Sequence, residues 1–260
     1  MSKSSTDSPA YLDRKREMGR MLTIYGRKPV LEALQDKQLD IRRVHLADSN
    51  RQGGIIDSII ELSTRRDIPI ARHERKALSR ISRNAKQDQG VAADLALPSL
   101  QWLDEIDKAK ATAPNARFLL CDGISNPQNL GMIIRSVAAA GISGLIVPQQ
   151  GNASISPLVI KASAGAVFRC PLYISPDIDS AVSCLHELGI ALYTLSADAG
   201  LSIKKQQING AAAFVLGNET EGPGAVAKKA SSASFFIPMA NGVESLNVAV
   251  TAALVAFMLR

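Results

Sequence analysis

Three short segments in the second half of the chain set glycine among amide, carboxylate, hydroxyl and guanidinium side chains, each beside an apolar run. The first is Asn126-Pro127-Gln128-Asn129-Leu130-Gly131, continuing as Met132-Ile133-Ile134-Arg135-Ser136. Asn129 is placed to cap a helix whose Ile133, Ile134 and Val137 face a sheet. Gly131 and Arg135 are four residues apart and share a helix face, where a phosphate or ribose could approach the guanidinium over bare glycine. The second segment, residues 216–224, follows an apolar strand directly and carries Glu219 and Glu221. The third, residues 237–248, leads from a strand end through Asn241-Gly242 into a helix opening with Ser245 and Asn247. Beyond that opening the helix is small or apolar, so its polar start is what remains to meet a ligand.

These residue types narrow the chemistry. No histidine lies in the three segments, since His45 and His73 belong to the first hundred residues and His186 is remote from all three. A conventional imidazole base is therefore not expected. Glu219 and Glu221 fit acid–base hydrolysis in type, but no other pair of acids supports it. Residues 222–227 match G-x-G-x-x-A, with Glu244 about 20 residues on, which is the pattern of a dinucleotide-binding turn. In such a turn the glycines follow the strand closely and leave the helix N-terminus free for pyrophosphate. Here Glu219 and Glu221 intervene and would repel it. Cys121, Cys170 and Cys184 are far apart without metal-ligand or disulfide spacing, so no metal is expected and the thiols read as reduced core residues.

The elements that must position these segments alternate. Strands are expected at 118–121, 144–147, 167–171, 190–195, 212–216 and 235–238, with helices at 130–140, 156–164, 178–188 and 245–259 between them. Short apolar strands alternating with helices specify a parallel sheet covered on both faces, which binds ligands at the carboxyl ends of its strands. Before this lies a smaller α/β unit. Its expected helices are 29–34, 55–64 and a basic segment at 76–83, and its expected strands are 41–46, 68–71 and 90–93. The domains then read as a mobile tail at 1–20, a small α/β domain at 21–97, a linker at 98–116 and the parallel-sheet domain at 117–260.

Charge separates the two domains. Residues 1–100 hold 19 Lys and Arg against 13 Asp and Glu, whereas residues 101–260 hold 11 of each. The whole net charge of +6 thus lies in the first part, densest between Arg65 and Lys86. Such a local, unbalanced excess points to nucleic-acid phosphates. No apolar run approaches the ~20 residues of a membrane span. Residues 1–10 have no apolar core, so no secretory signal is expected.

Taken together and in order, N-x-G-x-x-x-R-S, L-G-N-E-x-E-G and I-P-M-x-x-x-V-x-S-L-N-V resemble the SpoU family of RNA ribose 2′-O-methyltransferases, over residues 117–260. The first domain resembles that family's substrate-binding domain, through residues 24–34 and Gln89-Gly90-Val91. The resemblance implies a sheet whose C-terminal segment is threaded through a loop as a trefoil knot. It also implies a homodimer with active sites near the subunit interface, and S-adenosylmethionine as cofactor. Gly217, Ile237 and Leu246 match positions that hold this donor, largely through backbone groups, with Met239 and Leu195 lining the same pocket. Arg135 matches the arginine at the reacting hydroxyl, with Asn129, Glu221, Ser245 and Asn247 around it. Thr220 stands where members often have Gly, and Asn241-Gly242 where Gly-Ser is common. The expected substrate is ribosomal or transfer RNA, and the expected compartment the cytoplasm. An RNA-binding homologue without activity is the alternative, and retention of Arg135, Glu221 and Asn247 argues against it.

Overall fold

The computed structural model describes residues 21–259, apart from Gln38, Gln52, Arg83, Pro98, Glu219 and the side chain of Lys205. The expected tail at 1–20 and the carboxylate of Glu219 lie outside the described residues. The chain divides into two compact units, Met1–Pro98 and Ser99–Arg260.

The first unit runs β1 (Met21–Tyr25), α1 (Arg27–Gln35), β2 (Asp40–Ala47), α2 (Ile55–Arg65), β3 (Ile70–His73), α3 (Arg75–Ser82) and β4 (Val91–Ala96). Its sheet has the order β1-β4-β2-β3, with β2 and β3 parallel and the other pairs antiparallel. Strand β1 has no counterpart in the sequence expectation, although Leu22 and Ile24 alternate into the core as period-two burial requires. Strand β1 meets α1 and α3, and α1 meets α2, with Val30 and Leu34 of α1, Ile56 and Ile59 of α2 and Leu78 of α3 all buried. Helix α1 opens after Gly26 at φ 98°, a conformation a Cβ would resist.

The second unit opens with β5 (Leu100–Trp102), a tight turn and α4 (Lys108–Ala111). There follow β6 (Arg117–Cys121), α5 (Pro127–Ala140), β7 (Gly144–Pro148), α6 (Pro157–Ala162), β8 (Leu172–Ser175) and α7 (Ile178–Glu187). Then come β9 (Ala191–Leu195), β10 (Leu201–Ser202), β11 (Ala212–Leu216), α8 (Ala225–Ala230), β12 (Ala233–Phe236) and α9 (Val248–Leu259). The eight strands lie in the order β10-β12-β9-β11-β6-β7-β8-β5, and every neighbouring pair is parallel. Strands β7 and β11 are buried along their whole length, as the centre of a sheet covered on both faces must be. One face packs Phe118, Leu120 and Val215 against Ala181 and Leu185 of α7 and Ala227 of α8. On the other face α5 packs against both α6 and α9.

Three expectations need correction. Residues 98–116, read as a linker, include β5, which pairs with β8 at the sheet edge and buries Leu100 and Trp102. The expected strand at 167–171 is a 3₁₀ turn, Ala166–Phe168, entered through Gly165 at φ 77°; the strand itself forms at Leu172–Ser175. A short apolar run does not distinguish a buried turn from a strand. The last strand ends at Phe236, so Ile237 and Pro238 already belong to the loop.

Candidate active site

Four adjacent strands, β12-β9-β11-β6, end level with one another. Phe235 pairs with Leu195, Val215 with Thr194, and Leu216 with Cys121. The loops leaving them, beginning at Ile237, Ser196, Gly217 and Asp122, therefore start from one edge of the sheet, where a parallel sheet binds ligands. The three segments singled out in the sequence occupy three of these four loops.

The loop after β11 turns back on its own start. A Cβ at Gly217 would fall on the backbone of Gly222 and Pro223, so only glycine fits there. Gly222 N donates to Asn218 O at 2.9 Å, and Thr220 N to Asn218 Oδ1 at 2.9 Å. Asn218 Nδ2 donates to Gly123 O at 3.2 Å and Gly224 N to Asp122 Oδ2 at 2.7 Å, tying this loop to the one after β6. Asn152 secures that neighbour in turn, accepting from Ile124 N at 2.7 Å and donating to Pro148 O at 2.9 Å. Sequence reasoning passed over Asp122 and Asn152, and the available signal was a polar residue just beyond an apolar strand. The carboxylate of Asp122 also occupies the start of α8, which disposes of pyrophosphate binding at Gly222-Pro223-Gly224.

Helix α5 departs from expectation at two residues. Its cap is Asn126, whose side chain accepts from Gln128 N at 2.8 Å, with Pro127 in the first turn. Asn129 is instead inside the helix and 6% exposed, and its Oδ1 accepts from Asn247 Nδ2 at 3.2 Å. Asn247 uses its other side-chain atom to cap α9, accepting from Ala249 N at 2.8 Å. The two asparagines thus link the middle of one motif helix to the start of the other. Gly131 is not open ground for a ligand. A Cβ there would lie 2.5 Å from Ala162 Cβ and 2.7 Å from Val159 O, so the glycine lets α5 and α6 touch.

Arg135 sits on the exposed stripe of α5 with Gln128, Met132 and Ala139, and its guanidinium has no partner among the described residues. It lies six residues beyond Asn129, roughly 120° away around the helix. Within one chain the structure therefore brings Asn129 to Asn247 but does not bring Arg135 to either. Glu221, Ser245 and Met239 are also exposed. Cys121 ends β6, and burial, with Cys170 and Asp122 nearby, pushes its thiol far up; it supplies no thiolate.

The donor positions fit a nucleoside with an amino-acid tail. Leu195, Ile237 and Leu246 are half-buried at the loop starts, offering apolar contact. The main-chain N–H groups of Gly217, Ile237 and Leu246 have no protein partner among the described residues. A cavity of about 320 Å³ is lined in part by Thr194 and Ser196, the chain neighbours of Leu195, and by Pro223, which lies against Gly217. None of the expected donor residues lines it. Among the described residues, no group of three or more His, Cys, Asp or Glu side chains is placed to hold a metal ion.

Comparison with known proteins decides what this arrangement belongs to. Residues 116–257 match the model of the SpoU rRNA Methylase family, and residues 23–101 that of the RNA 2′-O ribose methyltransferase substrate-binding domain. The chain belongs to the SpoU family. Among its relatives is the 23S rRNA (guanosine-2′-O-)-methyltransferase RlmB of Xanthomonas axonopodis pv. citri, 30% identical over 90% of this chain and 94% of the relative. An uncharacterized tRNA/rRNA methyltransferase of Mycobacterium sp. (strain KMS) is 30% identical over 89% of this chain and 74% of its own. The SpoU methyltransferase AviRb of Streptomyces viridochromogenes, solved with AdoMet, shares the fold with a TM-score of 0.63 and 20% identity, covering 94% of this chain and 91% of that one. An AdoMet-bound rRNA methyltransferase of Sinorhizobium meliloti gives a TM-score of 0.65 at 21% identity, covering 95% and 90%. In this SpoU chain, the motif loops are held together by Asp122, Asn152, Asn218 and Asn247, residues that shape the site from behind.

Proposed function

We propose that the chain transfers a methyl group from S-adenosylmethionine to a ribose 2′-hydroxyl of ribosomal or transfer RNA, as a homodimer in the cytoplasm. The observation that carries this reading is the meeting of the motif loops at one edge of a parallel sheet, with half-buried apolar side chains and free N–H groups together. When bound, S-adenosylmethionine supplies a methyl group on a positively charged sulfur, open to in-line attack by the ribose oxygen. Gly217, Ile237 and Leu246 would hold that donor through their N–H groups, while Leu195 and Met239 would flank its apolar parts. Most of the rate then comes from alignment.

Arg135 meets the substrate. A guanidinium keeps its charge, so its role is to stabilise charge developing on the ribose oxygen and to orient a neighbouring phosphate, while the hydroxyl proton passes to water as the oxygen–methyl bond forms and the sulfur–methyl bond breaks. Glu221 and Ser245 stand beside the reacting hydroxyl. Asn129 and Asn247 tie α5, which carries Arg135, to the start of α9, just after Ser245. The family resemblance supports reading the chain from β12 to α9 as the threaded segment of a trefoil knot.

The dimer reading rests on α9. Val250, Leu254, Phe257 and Met258 are 49%, 41%, 51% and 40% exposed, spaced as one helical stripe. Met132 on α5 and Leu158 on α6 are exposed as well, and both helices belong to the face of the sheet that carries α9. A partner covering this face would bury it beside Arg135 and complete the site. Ribosomal and transfer RNA are matured in the cytoplasm, where three free thiols stay reduced.

The test pairs two measurements. Purified chain with isotope-labelled donor should methylate ribosomal or transfer RNA transcripts at a 2′-oxygen. Ribose-methyl mapping of cellular RNA with and without the gene should show one site that depends on it. Donor binding without transfer to either RNA class, and no site lost from the cell, would overturn the reading.

A further inference from the structure

The methyl-transfer site leaves unused a cleft in the first unit, about 520 Å³ in volume and lined by Arg27, Ser49, Asn50, Arg75 and Gln89. Every lining side chain is polar. They come from the turn into α1, the turn after β2, the start of α3 and the turn before β4. Two stretches that resemble the family's substrate-binding domain, around Gly26-Arg27 and Gln89-Gly90, therefore converge here.

Both guanidiniums are held in place. Arg27 N donates to Gln89 Oε1 at 3.2 Å, and Arg27 Nη2 to Asn50 Oδ1 at 3.2 Å. Arg75 Nη2 lies 2.9 Å from Asp88 Oδ1 and donates to Ala85 O at 3.2 Å. Asp88 is fully buried and is itself fixed by Ser82 Oγ at 2.8 Å and Gly90 N at 2.9 Å. Gly90, at φ +76°, admits the crowding, since a Cβ there would sit 2.8 Å from Asn50 Nδ2 and 3.0 Å from Arg75 Nη1.

The charges do not cancel. Asp88 offsets Arg75, whereas Arg27 has no carboxylate partner among the described residues. The Nη1 groups of both arginines also lack a hydrogen-bond acceptor among those residues. A guanidinium already immobilised loses little freedom on binding, and its planar fork suits phosphate oxygens. An ordinary solvated arginine would be neither braced by amides nor seated over a buried carboxylate.

We propose that this cleft binds one backbone phosphate of the RNA substrate, with Ser49 and the Gln89 amide meeting the adjoining sugar. The first unit then grips RNA at a fixed point and not only through diffuse charge. This rests on the reading of the chain as an RNA enzyme, so binding and methyl transfer are measured separately.

The experiment is equilibrium binding of the full chain to an in vitro transcript of large-subunit ribosomal RNA over a series of salt concentrations. Arg27→Gln should weaken binding about tenfold and reduce the slope of log affinity against log salt by about 0.7–0.9, the amount for one lost phosphate contact. Arg75→Lys keeps a cation over Asp88, so the unit stays folded and the slope is kept, but loss of the planar fork should weaken binding several-fold. Arg42→Gln is the control, removing an exposed arginine whose one ion pair among the described residues is with Asp40 at 2.9 Å, and should leave the slope unchanged. Equal slopes for Arg27→Gln and Arg42→Gln would mean diffuse charge and would overturn the proposal. So would an unchanged slope in Arg27→Gln, or an unchanged affinity in Arg75→Lys, with normal melting. If the slopes behave as expected but no methyl is transferred, the cleft stands and the catalytic reading falls.

Discussion

Arg135 carries the most exposed commitment at the scale of single residues. It lies on the solvent stripe of α5, apart from the loops holding Gly217, Ile237 and Leu246, so donor binding and chemistry should separate on mutation. In Arg135→Ala the helix should persist, since alanine is the best helix former, and donor affinity by calorimetry should stay within about twofold. Methyl transfer in a single turnover should fall about 10²–10³-fold, the cost of removing a preorganised charge from a developing oxyanion. Arg135→Lys should recover little, because an ammonium lacks the planar fork. Near-normal transfer by Arg135→Ala would show that the catalytic group lies elsewhere. Gly131 teaches the opposite lesson about legibility. Spacing along the helix showed correctly that Gly131 and Arg135 are neighbours on α5, but not that α6 already fills the space above the glycine. Gly131→Ala gains up to about 1 kcal/mol of helix propensity, yet must push a carbonyl and a methyl apart, at about 1–3 kcal/mol. A lowered melting temperature is expected, and a raised one would mean the α5–α6 contact is loose.

Between elements, the link from Asn247 to Asn129 joins chemistry to packing. Asn247 looked in the sequence like a polar residue awaiting a ligand, and its side chain is largely spent on capping α9 and donating to Asn129. Sequence pattern shows a helix start but not which distant helix the cap also touches, because that contact spans 118 positions. Removing it by Asn247→Ala should cost about 1–2 kcal/mol through the cap alone. Donor affinity should also weaken, since Leu246 immediately precedes the cap. Asn247→Asp keeps the capping acceptor and loses the donation, so its melting temperature should fall between the other two; equal melting of Asn247→Ala and the unaltered chain would dissolve the argument. The first sheet offers a second case that periodicity could not show. Thr23, Asp94, His45 and His73 form a row across its strands, with contacts of 2.7, 2.8 and 2.9 Å. Burial raises Asp94, but hydrogen bonds from His45 and Thr23 outweigh it and hold the carboxyl below its usual value. Burial, with His45 beside it, holds His73 below the usual imidazole value. Both shifts have the same sign for stability, because the folded state binds fewer protons than the unfolded one. Stability from His73 is present above its unfolded pKa of about 6.5 and is lost as pH falls below it, and that from Asp94 is lost below about 3.9. Denaturant unfolding should therefore show a decline beginning near pH 6.5, and His73→Gln should remove that first step.

For the molecule as a whole, the sequence disclosed the parallel sheet, its ligand-binding edge and the charge division between the two units. For α9 it left two uses open, a buried helix and an apolar surface that could pack against a partner. That helix is apolar almost all round, so it has no polar stripe to mark a solvent face, and periodicity alone reads it as a buried helix. In the structure only part of its surface meets α5 and the sheet, leaving Val250, Leu254, Phe257 and Met258 exposed. Burying a large apolar side chain stabilises by roughly 1.5–3 kcal/mol, so a stripe of this kind left in water forgoes several kcal/mol that the proposed self-association would recover. A two-fold contact would use the stripe twice, once from each copy. Sedimentation at micromolar concentration should accordingly show one species of twice the chain mass. Leu254→Glu places charges in the middle of such a contact without touching the core, since Leu254 is already 41% exposed. That variant should sediment at the single-chain mass, keep its melting cooperativity and lose methyl transfer, because the proposed site at Arg135 needs the partner's surface. A unaltered chain that is monomeric and fully active, or a Leu254→Glu variant that still pairs, would assign this face to some other use.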